Sequence, residues 1–126
     1  MPWKIIYHEN QPQNPKIGDM WPDKDRIGSS YISNKYLENC INIRPPLVVV
    51  LPSSYNKNGD IFLIDRAATD DPNKKGWDII IIGQLVDGET PNISVYPSIN
   101  CVGSYHGYIK NGIITDDCEG RNYEIA

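Results

Sequence analysis

A single phenylalanine, three cysteines and a shortage of positive charge are the first things missing from this 126-residue chain. Cys40, Cys101 and Cys118 cannot all pair and form no C-x-x-C spacing, which excludes a zinc ribbon and a dense disulfide framework. At most one disulfide is left open, and a reduced, cytoplasmic protein is the plain expectation. Lys and Arg number 12 against 16 Asp and Glu, giving a net charge of −4 and a pI near 5.0. That balance, with no basic stripe interleaved with aromatics, argues against nucleic acid as the main partner. The longest apolar run, residues 45–52 with its prolines included, is far short of the roughly 20 residues that cross a membrane. No basic segment followed by an apolar stretch opens the chain, so no signal peptide is expected. No G-x-G-x-x-G is present, so a dinucleotide enzyme is not indicated, and there is no internal repeat or low-complexity tract. Nothing calls for a cofactor or a metal.

What remains is 40% apolar and 22% charged, with eight Tyr and three Trp. This suits one globular domain spanning 1–126. Residues 3–7 are short and β-prone, as an edge strand is. From 8 to 33 the prolines and glycines Pro12, Pro15, Gly18, Pro22 and Gly28 break any long helix, and the stretch is long for a loop. Met20 and Trp21 are its expected anchors. Asn34 caps a possible short helix over 35–41, which Pro45 and Pro46 forbid from continuing.

From 45 onward the signals are β. Leu47-Val48-Val49-Val50-Leu51 reads as a strand buried on both faces, and 60–65 as its hairpin partner across a loop holding Asn56, Asn58 and Gly59. Residues 77–82 and 92–99 are further strands, while 67–76 is polar and turn-rich. Segments 105–110 and 113–117 flank Asn111-Gly112, the strongest hairpin signal in the chain. The fold class is all-β or β-dominated: a small antiparallel sheet or sandwich with a C-terminal three-stranded meander and at most one short helix. Val48, Val50, Phe62, Ile64, Ile79, Ile81, Val95, Ile109 and Ile114 are the expected core.

The short turns allow the meander's register to be written down. A two-residue turn at Asn111-Gly112 sets Ile109 opposite Ile114, Tyr108 opposite Thr115 and His106 opposite Asp117. A five-residue loop over 100–104 sets Ile99 opposite Tyr105 and Ser98 opposite His106. One face then collects Ile93, Val95, Ile99, Tyr105, Ile109 and Ile114; the other collects Ser94, Tyr96, Ser98, His106, Tyr108, Thr115 and Asp117. Ser98, His106 and Asp117 fall in one row across three strands.

Those are the residue types of nucleophilic acyl transfer. The hydroxyl needs a base, the imidazole can take its proton, and a carboxylate fixes the tautomer and steadies the imidazolium. Amides around Val102-Gly103-Ser104 are candidate oxyanion donors, with the Pro-rich 8–33 segment and Trp21 as cover. The plainer alternative is a polar sheet face on which His106 is hydrogen-bonded for packing. Cys101 is a weaker candidate nucleophile. His106, Asp117 and Cys118 do not make a metal site, because neighbours on a strand point to opposite faces. His8-Glu9 reads as a solvated pair, and Asp116-Asp117-Cys118-Glu119 beside Arg121 as a salt-bridged surface.

Gly18-Asp19-Met20-Trp21, Arg44-Pro45-Pro46-Leu47, the run from Pro91 through Pro97-Ser98-Ile99-Asn100, and Tyr105-His106-Gly107-Tyr108-Ile109-Lys110-Asn111-Gly112 carry a likeness. Together they resemble a small uncharacterised domain family found in phage genomes and beside bacterial ubiquitin-like conjugation genes. The likeness is sharpest from Gly76 to Arg121. Its shared pattern, Pro-Ser-Ile followed by a histidine and an Asn-Gly or Asp-Gly turn, maps onto Pro97, Ser98, Ile99, His106 and Asn111-Gly112. Relatives with a Cys-Pro-Cys-Gly-Cys segment look zinc-binding; this sequence has no such segment, so zinc is not implied. The resemblance implies a phage or mobile-element origin, a bacterial host's cytoplasm and a role near ubiquitin-like conjugation. Two functions are therefore expected to compete. One is a small serine hydrolase or peptidase using Ser98, His106 and Asp117 on a protein or peptide substrate. The other is a non-catalytic phage accessory or host-defence antagonist that binds a protein partner.

Overall fold

The Asn111-Gly112 dipeptide turns the chain as its chemistry requires. Both residues have positive φ, 50° and 81°, the pairing that a type I′ hairpin turn needs. Gly112 has no room for a side chain, since a Cβ would run into the Pro91 carbonyl, and its amide donates to Ile93 O at 2.8 Å. A computed structural model describes residues 2–23, 46–64 and 76–123. Within them are nine strands and no helix: β1 Trp3–Lys4, β2 Ile6–Tyr7, β3 Asp19–Pro22, β4 Leu47–Leu51, β5 Asp60–Leu63, β6 Asp78–Ile82, β7 Asn92–Cys101, β8 Tyr105–Lys110 and β9 Ile113–Ile114. The short helix expected over 35–41 lies outside the described residues, as does most of the stretch from 67 to 76.

The strands form two sheets. One has the order β1-β9-β8-β7-β6 and the other β2-β3-β4-β5. All pairs are antiparallel except β2 with β3. Residues 3–7 do form an edge, but of both sheets in turn: the chain pairs with β9, crosses at Ile5, then pairs with β3. Ile5 donates its amide to Gly112 O at 2.9 Å while its side chain is fully buried, so it ties the meander's turn to the core. The supposed loop 8–33 also contributes a true strand, β3, whose four residues are all buried.

The two sheets close on one core. Met20, Leu47, Val49 and Leu51 from one side meet Ile93, Val95, Ile99, Tyr105, Ile109 and Ile114 from the other. All six residues assigned to the meander's inner face are fully buried. Val48, Val50 and Ile64 are buried as expected, whereas Phe62, Ile79 and Ile81 are half-buried against the core's margin. β4 is buried on both faces: Val48 and Val50 point away from the main core and pack with Trp21, Ile17 and Leu63.

Gly107 shows how tight the meander is. Its strand position needs no unusual backbone, yet a methyl there would collide with the Tyr105 ring and lie 3.0 Å from Thr115 Oγ1. Tyr105 cannot yield easily, because it is fully buried and its hydroxyl donates to Thr115 O at 2.8 Å. Alanine normally stabilises a strand over glycine. Here Gly107→Ala is expected to destabilise by about 2 kcal/mol through overpacking. Urea unfolding measures it, and an unchanged midpoint would show that the Tyr105 ring swings aside.

Candidate active site

Ser98 sits on a bulge in β7. Val95 pairs with Ile109, but four residues later Ile99 pairs with Gly107, so Tyr96, Pro97 and Ser98 together oppose only Tyr108. The Tyr96–Pro97 peptide in this stretch is cis. Because the offset is two residues, alternation is preserved: Val95 and Ile99 both still point inward. The register with Ile99 opposite Tyr105 therefore holds at Val95 and fails beyond the bulge. Cys101 pairs with Tyr105 and Asn100 with His106, closing a three-residue loop in place of the expected five. Ser98 and His106 are thus diagonal neighbours, not direct partners. Bulges re-aim side chains in this way. Trp77 pins the arched backbone, its indole N–H reaching Ser98 O at 3.4 Å while its ring packs edge-on to Phe62.

The diagonal is short enough. His106 Nε2 lies 3.1 Å from Ser98 Oγ, within hydrogen-bond reach. Behind the ring, however, stands Glu119 and not Asp117: His106 Nδ1 is 3.2 Å from Glu119 Oε2. In the tautomer with the proton on Nδ1, Nε2 is the acceptor for the Ser98 hydroxyl, and the Glu119 carboxylate stands beside Nδ1 as a counter-charge for the ring once it is protonated. Ser98, His106 and Glu119 have the connectivity of a nucleophile, a base and an orienting carboxylate.

Asp117 has a different place because the sheet ends early. β9 stops at Ile114; Thr115 N still reaches Tyr108 O, but the next backbone link is Cys118 N to His106 O. The one-residue slip turns Asp117 inward, where its side chain is fully buried. A buried carboxylate only accepts, so it must be surrounded by donors. It receives the amides of His106 at 2.8 Å, Glu119 at 3.0 Å and Arg121 at 2.8 Å, and the Arg121 guanidinium at 2.9 Å. Burial pushes its carboxyl pKa up, but the amides of Arg121 and His106 and the guanidinium outweigh that and hold it below 3.8. Arg121 also reaches Glu119 Oε1 at 3.4 Å. Asp117 therefore fixes the turn that presents Glu119 to the imidazole.

The row is open to solvent. The His106 side chain is 28% exposed and that of Glu119 48%. Trp21, expected as cover, packs on the outer side of the other sheet with Val48 and Val50. Residues 24–33 of the proposed cover lie outside the described residues. The Ser104 amide, a proposed oxyanion donor, is committed to Cys101 O at 2.8 Å. Cys101 and Cys118 are free thiols. Burial, and secondarily the charge of Asp60, raise the Cys101 pKa, which disfavours the thiolate a nucleophile needs.

His8 is not a solvated neighbour of Glu9. Its Nε2 contacts Asp19 Oδ1 at 2.9 Å, and the buried Asp19 also accepts the Lys16 amide at 2.9 Å. The His8 amide donates to Met20 O at 2.7 Å. The pair locks β2 alongside β3, a use that parallel pairing explains and local sequence does not announce. Among the described residues no group of three His, Cys, Asp or Glu side chains is placed to hold a metal ion. No protein-family model, curated protein or solved structure matches the chain.

Proposed function

We propose that this domain is a serine-dependent acyl hydrolase acting on ester, peptide or isopeptide bonds of a protein or peptide substrate. The observation that carries the reading is the double contact of His106, with Ser98 Oγ at 3.1 Å and Glu119 Oε2 at 3.2 Å. Ser98 Oγ attacks the substrate carbonyl while its proton passes to His106 Nε2. Glu119 stabilises the imidazolium. The imidazolium then gives the proton to the leaving amine or alcohol, and water, deprotonated by the same imidazole, releases the acyl group from Ser98. Asp117 and Arg121 take no part in bond-making; they hold Glu119 in place. Such an open row lacks the desolvation that strengthens fixed charges, so slow turnover is expected.

A fluorophosphonate probe tests this directly. Adduct formation is expected on Ser98 of the folded protein and not on Ser98→Ala. Intact folded protein that gains no adduct at Ser98 would overturn the reading. An isopeptide-linked ubiquitin-like conjugate, the substrate class implied by the resemblance, forms the second arm of the assay. A non-catalytic binding role is favoured by one observation: Ile80 and Ile82 on the sheet's outward face are 52% and 65% exposed, next to exposed Tyr96 across β6 and β7. In that reading a protein partner covers the strip and Ser98→Ala leaves its binding unchanged. Two free thiols suit a reducing compartment, and we place the protein in the cytoplasm of a bacterial host. Among the described residues no helix is long and apolar enough to cross a membrane.

A further inference from the structure

A separate cleft of about 380 Å³ opens beside the β4–β5 loop, lined by Ile17, Ser53, Ser54, Tyr55, Asn56, Lys57, Asn122 and Tyr123. That volume is in the range of small-ligand sites. Its floor is built rather than incidental. Buried Ser104 gathers the walls: its Oγ accepts the Ser54 amide at 3.0 Å, and its carbonyl accepts both Ser54 Oγ at 3.0 Å and the Tyr123 hydroxyl. Ser53 Oγ accepts the amides of Tyr55 and Asn56 at 3.0 and 3.1 Å, and Asn56 O accepts the Gly59 amide at 2.9 Å. Tyr123 is braced edge-on against Trp3.

Above this fixed floor the rim is unspent. Tyr55 is 80% exposed, and among the described residues the polar side-chain atoms of Tyr55, Asn56, Lys57 and Asn122 have no protein partner. We infer that the cleft binds a saccharide bearing a carboxylate. An exposed aromatic ring offers a face to the C–H side of a sugar, and carboxamides donate and accept at once, as vicinal hydroxyls do. Among the described residues of the lining Lys57 is the one that carries a charge and none is a carboxylate, so negative charge on the ligand is matched. A nucleotide fits less well. Phosphate wants several cations or free loop amides, and the amides of Tyr55, Asn56 and Gly59 are already spent within the loop.

The inference does not rest on the hydrolase reading, and Ser98→Ala should bind as the parent chain does. Titration with trigalacturonate, followed by amide NMR shifts, is expected to give saturable changes at Tyr55, Asn56, Lys57 and Asn122. Maltotriose, neutral and otherwise comparable, should bind about tenfold more weakly. Tyr55→Ala, which removes a side chain the core does not use, should weaken trigalacturonate binding by about tenfold or more. Absence of saturable shifts with trigalacturonate, equal affinity for maltotriose, or undiminished binding by Tyr55→Ala would overturn the inference. AMP binding tighter than trigalacturonate would replace it with a nucleotide site.

Discussion

Asp117→Ala is expected to destabilise the domain by about 3 kcal/mol near neutral pH, because it strips the shared acceptor from a convergent set of donors. The side chain is fully buried, and three amides and one guanidinium converge on it. Part of the cost falls on Arg121, whose second guanidinium contact, to Glu119, is long at 3.4 Å. The pH dependence follows from the direction of the shift. The folded carboxyl is held below 3.8, so the folded state favours the charged form. Its contribution is complete above the unfolded value and is lost as pH falls through the lower, folded one. The gap between the parent chain and Asp117→Ala should therefore be widest at about pH 6–7 and close progressively below about pH 4. Urea midpoints taken across that range measure it. A constant gap would mean that the loss comes from packing and not from the ionised carboxylate.

The meander was legible because its signals are local. Asn111-Gly112 fixes a type I′ turn, and the turn fixes Ile109 opposite Ile114 and Lys110 opposite Ile113. Alternation then sorts six apolar residues inward without knowledge of anything distant. What failed was counting through irregularities. The Tyr96-Pro97-Ser98 bulge moves the register by two, which keeps every face and so leaves no trace in the hydrophobic pattern. Past Thr115 the slip is one residue, and there the faces do change: Asp117 goes in and Glu119 comes to the imidazole. Glu119 was visible only as part of an acidic cluster beside Arg121. A carboxylate two residues further on, where the chain leaves the sheet, would have had to be weighed against Asp117. The parallel pairing of β2 with β3 was out of reach for a different reason: His8 and Asp19 lie far apart along the chain, with prolines between, and only tertiary structure brings them to 2.9 Å.

Glu119→Gln separates the row's chemistry from its architecture. The glutamate side chain is 48% exposed, so replacing it should leave stability within about 0.5 kcal/mol. Gln can still fill the space beside Nδ1, but it carries no charge and cannot stabilise the imidazolium that forms when Ser98 gives up its proton. Phosphonylation of Ser98 should therefore slow by roughly tenfold to a hundredfold, while His106→Ala, which removes the base itself, should fall to background. The lower part of that range is the more consistent with partial exposure, since water already screens the Glu119–His106 pair. Raising ionic strength to about 1 M should narrow the difference between the parent chain and Glu119→Gln for the same reason. Asp117→Asn, assayed where it remains folded, should slow labelling as well, because its amide no longer suits the donors that set the 117–121 turn. Combining it with Glu119→Gln should add little, since both act through the same carboxylate on the imidazole. Glu119→Gln reacting at the parent rate while His106→Ala is silent would leave His106 as a lone base and Glu119 as a bystander. Full additivity of the pair would instead place Asp117's influence on the His106 backbone, which it holds at 2.8 Å, and not on the carboxylate behind the ring.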